Sequence, residues 1–574
     1  MGATQSKTSP YVLETKRGKL KGVVQKDLNS NAVLYRYTKI PYAHPPTGSL
    51  RWRRPQPLPR DWSFSTASSE PGDYTEFGPI CPQPLYNHGA AQYDDPNNAA
   101  AIENAQSEDC LYLNVWVPAG TPPADGWPVQ FHIHGGWLQV GNANQSNDHD
   151  PFDLLAHSTQ RIIVVPTYRL NLFGFLAGQE LKDAEKGDPV PANYGLWDQR
   201  AALEWVHGNI HLFGGNSNLV SVGGLSAGAH SAFLQLYYDT YLPQEKRLIK
   251  QVYLWSNAMA IQPNATTSQT LTNQWQELCD VTGAGKAGDD PSQKLEALRN
   301  VPAEKLVEAI SKLKMHTFRT STDNDFLSSN FLQSLHDGSF SALLAEHGVR
   351  LILGEVSDEA LLYKLVNPPS NRKDMLVQMG NYYPKHVVDR LMTLTNVYDI
   401  PDEHKEDANS EQVKERYRDV FARIVADMQV HASERGLTKC LVAPPGGAAQ
   451  VPEVMRYRIA WRAKALDKHI NPEVGVCHAG DTPIWWMSGF RAGFDEEDKK
   501  KTLDFLKPFG EFLEGKPWTG GVGKGEDGAK KIGRYLDERG VTHEVVEDKL
   551  WEKGMQVWSS VAEVQGLKAT PPRL

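Results

Sequence analysis

The sequence holds little cysteine. Five in 574 residues are too few for a disulfide-stapled scaffold. No stretch approaches the roughly 18 consecutive apolar residues of a membrane-spanning helix. The N-terminal segment MGATQSKTSPYVLETKRGKLKG lacks the apolar core of a secretory leader, so a cytoplasmic location is expected. Basic residues are outnumbered 60 to 69, giving a net charge of −9. That is not the footprint of a general nucleic-acid binder, and no nucleic-acid partner is expected. Internal repeats and linker-like compositional breaks are also missing. Glycine (47) and proline (37) stand near ordinary levels, which excludes collagenous chains.

What is present is enough apolar material for a large core, 40% hydrophobic against 22% charged. The chain reads as a single domain over 1–574, with a short flexible tail over about residues 1–10. Tyr11–Leu13 and Lys19–Val24 suggest an N-terminal hairpin. Leu111–Val117, Val129–His134, Ile162–Tyr168, Leu219–Val222, Val252–Trp255 and Arg350–Leu353 read as strands. Helical patterns fall at Trp197–Asn209 and Ala229–Tyr237. Strands alternating with helices imply a large, mostly parallel sheet with helices on both faces, an α/β fold. Pro71–Ala105, Gly283–Asp290 and Gly520–Gly528 read as loop insertions, the last within a Lys/Glu-rich helical C-terminal part expected to be a solvated face. Gly2 and Ser6 fit the M-G-x-x-x-[ST] acylation pattern, and Lys7, Lys16, Arg17, Lys19 and Lys21 follow. An acyl chain beside basic residues can hold a membrane surface, so peripheral membrane contact is an expectation attached to Gly2.

The chemistry centres on Gly223-Gly224-Leu225-Ser226-Ala227-Gly228. A G-x-S-x-G segment between a strand and a helix is the context of a nucleophile elbow. Small residues at 224 and 228 let the chain turn sharply and lift the Ser226 hydroxyl above the sheet edge. His134-Gly135-Gly136-Trp137 follows another strand. Its two glycines leave room for N–H groups to face one oxygen, and the Ala227 N–H would be a third donor.

Six segments resemble the type-B carboxylesterases, the cholinesterase-like esterases and lipases of the α/β-hydrolase fold. They are IPYAHPPTGSLRW at 40–52, SEDCLYLNVWVP at 107–118, FHIHGGW at 131–137, VPTYRLNLFGFL at 165–176, NYGLWDQRAALEWVHGNIHLFGGN at 193–216 and GGLSAGAH at 223–230. The likeness runs from about residue 35 to 490. It implies a triad in the order serine, acid, histidine. The matching acid is Glu359, in Gly354-Glu355-Val356-Ser357-Asp358-Glu359-Ala360, and the matching base is His478, in Cys477-His478-Ala479-Gly480-Asp481. Glu355 and Asp358 are rival acids, more simply read as exposed loop charges. His134 and His230 fall in family motifs that hold the oxyanion loop and the helix behind the elbow. Ala360 and Ala479 stand where the family often has glycine.

The resemblance implies hydrolysis of a small-molecule ester through an acyl-enzyme, with no cofactor and no metal. Leu225 replaces the family's usual Glu before the nucleophile and offers no charge to a quaternary ammonium. The Cys81–Cys110 loop carries Tyr86 and Tyr93 but no Trp. Both departures point away from choline esters and towards neutral, fairly apolar ones, with Leu225 and Trp137 expected near the substrate. Cys81 and Cys110 match the family's first disulfide pair and are expected to lie close together, bonded or reduced. Cys279, Cys440 and Cys477 are expected to be buried apolar residues. The sequons at Asn144 and Asn264 are idle in a cytoplasmic chain. Two other readings share these motifs: acyl transfer through the same acyl-enzyme, and a non-catalytic cholinesterase-like binding protein, a class that typically loses the nucleophile.

Overall fold

β-branched and aromatic runs bounded by glycine and proline form the strands of one sheet. The computed structural model describes residues 7–567 except 86–104, 145–148, 186–190, 367, 403–405, 408, 469–470 and 519. Gly2, Tyr86 and Tyr93 therefore lie outside the described residues. The expected hairpin forms: β1 (Lys7–Thr15) and β2 (Gly18–Lys26) pair antiparallel. Because β1 starts at Lys7, residues 7–10 are paired strand rather than loose tail. β3 (Ala32–Pro41) extends the sheet, and β4 (Gly72–Asp73) makes a short parallel pairing with β2.

The central apolar runs become β5 (Tyr112–Pro118), β6 (Trp127–Ile133), β7 (Ile162–Pro166), β8 (Gly215–Leu225), β9 (Gln251–Trp255) and β10 (Arg350–Val356). β11 (Glu453–Ile459), β12 (Lys531–Leu536) and β13 (Thr542–Glu547) complete the sheet. The spatial order is β1-β2-β3-β5-β7-β6-β8-β9-β10-β11-β12-β13. Pairing is parallel from β7 across to β12 and antiparallel towards both edges. The chain passes β6 to β7 and then returns to β8 on the other side of β6. That reversal opens a crevice at the carboxyl ends of β6 and β8, where open α/β sheets take their ligands.

Alternation divides the core into two layers, because successive strand residues face opposite sides. Ile162 and Val164 enter one apolar layer, and Ile163 and Val165 the other. Leu351 and Leu353 are likewise opposed to Ile352. The family segments meet in space: Arg51 pairs with Glu108 at 2.5 Å, and Arg169 with Asp198 at 2.7 Å, the latter pair fully buried.

The C-terminal part differs from the expected solvated helical face. It contributes β12 and β13, and the helix Glu496–Leu513 buries Phe505, Phe509 and Phe512. The charged residues there cover one side only; the aromatic residues on the other pack against the sheet.

Glu355 departs furthest from expectation. It is fully buried in β10 and is no loop charge. Both its oxygens accept from Arg435 at 3.0 Å, and His431 Nδ1 lies 2.6 Å away. Arg435 also reaches Asp548 at 2.9 Å, and Asp548 pairs with Arg456 at 2.7 Å. Burial alone would push the Glu355 carboxyl up, but Arg435, His431 and Arg458 outweigh it and hold it well below the usual range. The network ties β10 and β11 to the segment after β13. Arg435→Ala leaves Glu355 and Asp548 buried without their shared cation and is expected to cost about 3–5 kcal/mol. A denaturant midpoint within error of the wild type would refute this.

Candidate functional site

The carboxyl ends of β6, β8, β10 and β11 bring the expected residues together. Ser226 sits between β8 and the helix Ala227–Thr240, with φ 59° and ψ −124°. An ordinary residue rarely adopts this conformation, and holding it costs on the order of 1–3 kcal/mol. The flanking glycines explain how it is held. A Cβ on Gly224 would lie 2.3 Å from the Ile133 carbonyl oxygen, and one on Gly228 only 1.9 Å from the same atom. The Ser226 N–H is fixed by the Trp255 carbonyl at 2.8 Å. The elbow is thus wedged between the ends of β6 and β9.

His478 Nε2 lies 2.8 Å from Ser226 Oγ, and His478 Nδ1 lies 2.5 Å from Glu359 Oε2. Ser226 is 7%, Glu359 0% and His478 5% exposed. A carboxylate only accepts, so Nδ1 carries the proton and Nε2 presents its lone pair to the Ser226 hydroxyl. Glu359 Oε1 accepts from the Val356 N–H at 3.0 Å, which fixes the carboxylate plane. The Tyr363 ring packs 5.5 Å from that of His478.

Asp358 is exposed, as expected, but it has a structural task. Its Oδ2 accepts from the Val476 N–H at 3.0 Å, and its own N–H donates to the Val476 carbonyl at 3.0 Å. This clamp sets the loop carrying His478 beside Glu359. Sequence reading missed it, because nothing local links positions 118 apart.

Gly135 approaches the elbow closely: a Cβ there would meet the Leu225 carbonyl at 2.8 Å and Ser226 Cβ at 3.2 Å. Among the described residues, the Gly135 and Gly136 N–H groups donate to no acceptor. Ala227 opens its helix, where the first N–H groups lack intrahelical acceptors. The His134 ring stacks 4.4 Å from Tyr168, and Tyr168 donates to the His134 carbonyl at 2.9 Å. Burial pushes His134 down to about 4; it is neutral and holds this loop. His230 Nε2 lies 3.1 Å from Thr320 Oγ1. Burial, helped by the Arg319 charge, pushes His230 down to about 3.

Two substitutions against the family pattern have different costs. Glu359 is right-handed and starts the helix Ala360–Leu365, so Ala360 needs no glycine. Ala479 takes φ 65°, a conformation glycine adopts without strain. Nearby, Asp481 is fully buried and accepts from the Trp485 indole N–H at 2.7 Å. Burial pushes its carboxyl up to about 7. Its stabilising protonated form is complete below the ordinary 3.8 and is lost as the pH rises through about 7. Wild-type thermal stability is therefore expected to fall, relative to Asp481→Asn, between pH 5 and 8. Parallel stability curves would overturn this.

A cavity opens beside the elbow, lined by Trp137, Leu138, Ala227 and His230 and by the segments 257–264, 315–320, 380–384 and 428–429. Trp137 reaches it as expected. Leu225 does not: it packs in the apolar layer with Trp255 and Trp485, because the alternation of β8 turns it away from the crevice. Asn264 of the second sequon forms part of the cavity wall. Cys81 and Cys110 are close, buried free thiols; the hydrogen bond that Cys110 makes to Cys81, with burial, raises the Cys110 thiol. Cys279 and Cys440 are buried as expected, whereas Cys477, on the loop that follows β11, is partly exposed. Among the described residues, no group of three or more His, Cys, Asp or Glu is placed to hold a metal ion, and no helix is long and apolar enough to cross a membrane.

Comparison with known proteins agrees with this architecture. A model of the carboxylesterase family matches residues 9–525. An uncharacterized esterase/lipase of Schizosaccharomyces pombe is 40% identical over 97% of this chain and 99% of its own. A carboxylic ester hydrolase of Gibberella moniliformis is 36% identical over 95% of this chain and 94% of its own. The para-nitrobenzyl esterase of Bacillus subtilis is 31% identical over 61% of this chain and 63% of its own.

Proposed function

The chain belongs to the carboxylesterase family and hydrolyses carboxylic esters, and from that premise we propose that it does so through a serine acyl-enzyme with Ser226 as nucleophile. The carrying observation is the continuous chain Ser226 Oγ–His478–Glu359, at 2.8 and 2.5 Å. His478 Nε2 takes the hydroxyl proton as Ser226 Oγ attacks the ester carbonyl. Glu359 stabilises the imidazolium that forms. The carbonyl oxygen becomes an oxyanion and receives the Gly135, Gly136 and Ala227 N–H groups; one such donor is worth about 2.7–4 kcal/mol of barrier. His478 then protonates the departing alcohol. Water, activated by the same imidazole, attacks the acyl-serine ester and releases the acid.

The cavity supports esters with a fairly apolar body, since Leu138, Met259, Ile261, Leu271, Met315 and Met428 line it. The test of the acyl-enzyme is rapid mixing with p-nitrophenyl acetate. A burst of p-nitrophenol stoichiometric with protein, and an acetyl group on the Ser226 peptide by mass spectrometry, are expected. Steady turnover without a burst and with the label on another residue would refute the assignment.

A further inference from the structure

Two neutral polar groups stand in the wall of the cavity beside the elbow without partners. Gln429 and Tyr383 both line it. They are 9% and 6% exposed. Among the described residues, Gln429 Nε2 and the Tyr383 hydroxyl make no hydrogen bond. Buried donors are nearly always paired, and one left open is costly.

Both residues are held from behind. Gln429 lies in a single π-helical turn, Asp427–His431, between the helices Glu411–Ala426 and Ala432–Val442. Such turns are rare and recur at functional sites. The backbone carbonyl of Gln429 accepts from the Ala258 N–H at 3.0 Å. Its side-chain Oε1 accepts from the Tyr363 hydroxyl at 3.5 Å. Tyr383 follows the helix Arg372–Gly380, and its N–H donates to the Met379 carbonyl at 2.9 Å. Burial pushes the Tyr383 phenol far up, so it stays protonated. Arg319 and the Gln429 amide act against that shift, which places the amide and the phenol near each other.

The pair is also close to the reacting groups. Tyr363, which bonds Gln429, packs its ring 5.5 Å from that of His478. Ala227, next to Ser226, belongs to the same cavity wall, as does Trp137 after the oxyanion glycines. Around the pair the wall is apolar, with Met259, Ile261 and Met428. Tyr363 already occupies the acceptor atom of Gln429. The amide N–H and the phenol O–H are donors, and the group they lack is an acceptor.

We infer that Gln429 and Tyr383 form a neutral anchor in the cavity, and that the preferred ester carries an uncharged oxygen acceptor, such as an ether or ketone, on the half that enters it. The hydrocarbon on either side of that oxygen packs against the apolar wall. Two uncharged donors suit an uncharged oxygen, and pairing removes the cost of leaving them open. The inference rests on the assignment of Ser226 and His478 above.

The test is a scan in which one methylene is replaced by an ether oxygen at successive positions. One series varies the acyl chain of p-nitrophenyl octanoate. The other varies the alcohol of octyl acetate, with acid release followed by titration. In one series a single position is expected to exceed its neighbours in kcat/KM by about tenfold, the worth of one neutral hydrogen bond. A peak in either series supports the inference and identifies the half that enters. The peak is expected to vanish in Gln429→Met and in Tyr383→Phe. Tyr383→Phe keeps the ring and removes only the hydroxyl, and the wild-type scan needs no variant to fold. A flat scan in both series with the parent esters hydrolysed, as water bridging the two donors would give, overturns the inference. So do variants that slow every ester equally and leave the peak in place, as a structural role would. Those results leave the serine assignment intact. Hydrolysis of no ester in either series, with no label on Ser226, defeats that assignment and this inference with it.

Discussion

Ser226→Ala is expected to reduce hydrolysis of p-nitrophenyl butyrate by about a millionfold, leaving only the residual rate that the oxyanion donors and substrate binding supply, as loss of the nucleophile does in comparable sites. The reason is chemical. The Ser226 hydroxyl stands 2.8 Å from His478 Nε2, and alanine offers no atom to bond the acyl carbon. The change is also clean. The elbow geometry comes from the close approach of Gly224 and Gly228 to Ile133 and from the Trp255 carbonyl, none of which involves the hydroxyl. The variant should fold, melt near the wild type and still bind substrate. Acetate, butyrate, octanoate and laurate esters assayed side by side would report the length of the acyl site in the wild type. Equal rates in both proteins would place the chemistry elsewhere.

Glu359→Gln is expected to lower kcat by about 10⁴-fold with little change in KM. The local hydrogen bonds explain why an isosteric amide fails. Glu359 Oε1 accepts from the Val356 N–H, so the amide oxygen of glutamine must occupy that position. The amide NH₂ then faces His478 Nδ1, where Oε2 now accepts. Nδ1 is forced to accept, the proton moves to Nε2, and the imidazole presents a donor to Ser226 instead of a base. Asp358→Asn provides the control. Its effect should come through the Val476 clamp and be far smaller. A loss at Asp358 as large as that at Glu359 would reassign the acid.

Much of this site was legible in the primary structure because its parts are short and local. The strand, the tight turn and the helix around Ser226 lie within about twenty residues, and glycine at 224 and 228 states a backbone requirement that the Ile133 carbonyl then explains. The histidine and acid were legible only through the resemblance, since residues 359 and 478 are 119 apart and neither segment has a periodicity of its own. Leu225 shows the limit of position-by-position inference. Being next to Ser226 in sequence places it on the opposite face of β8, because strand neighbours alternate.

Glu355 marks the same boundary from the other side. As one acid among four residues of Gly354 to Ser357 it reads as a loop charge, because its partners His431 and Arg435 come from segments 76 and 80 residues away. The sequence alone determined the sheet's apolar strands and the elbow, because those follow from local pattern and backbone sterics; the order of serine, acid and histidine came from the family resemblance. The tertiary structure decided which acid faces the imidazole, which charges are buried together, and that the C-terminal segment adds strands to the sheet. Each of these depends on groups that meet only after distant strands align, and no local propensity encodes such a meeting.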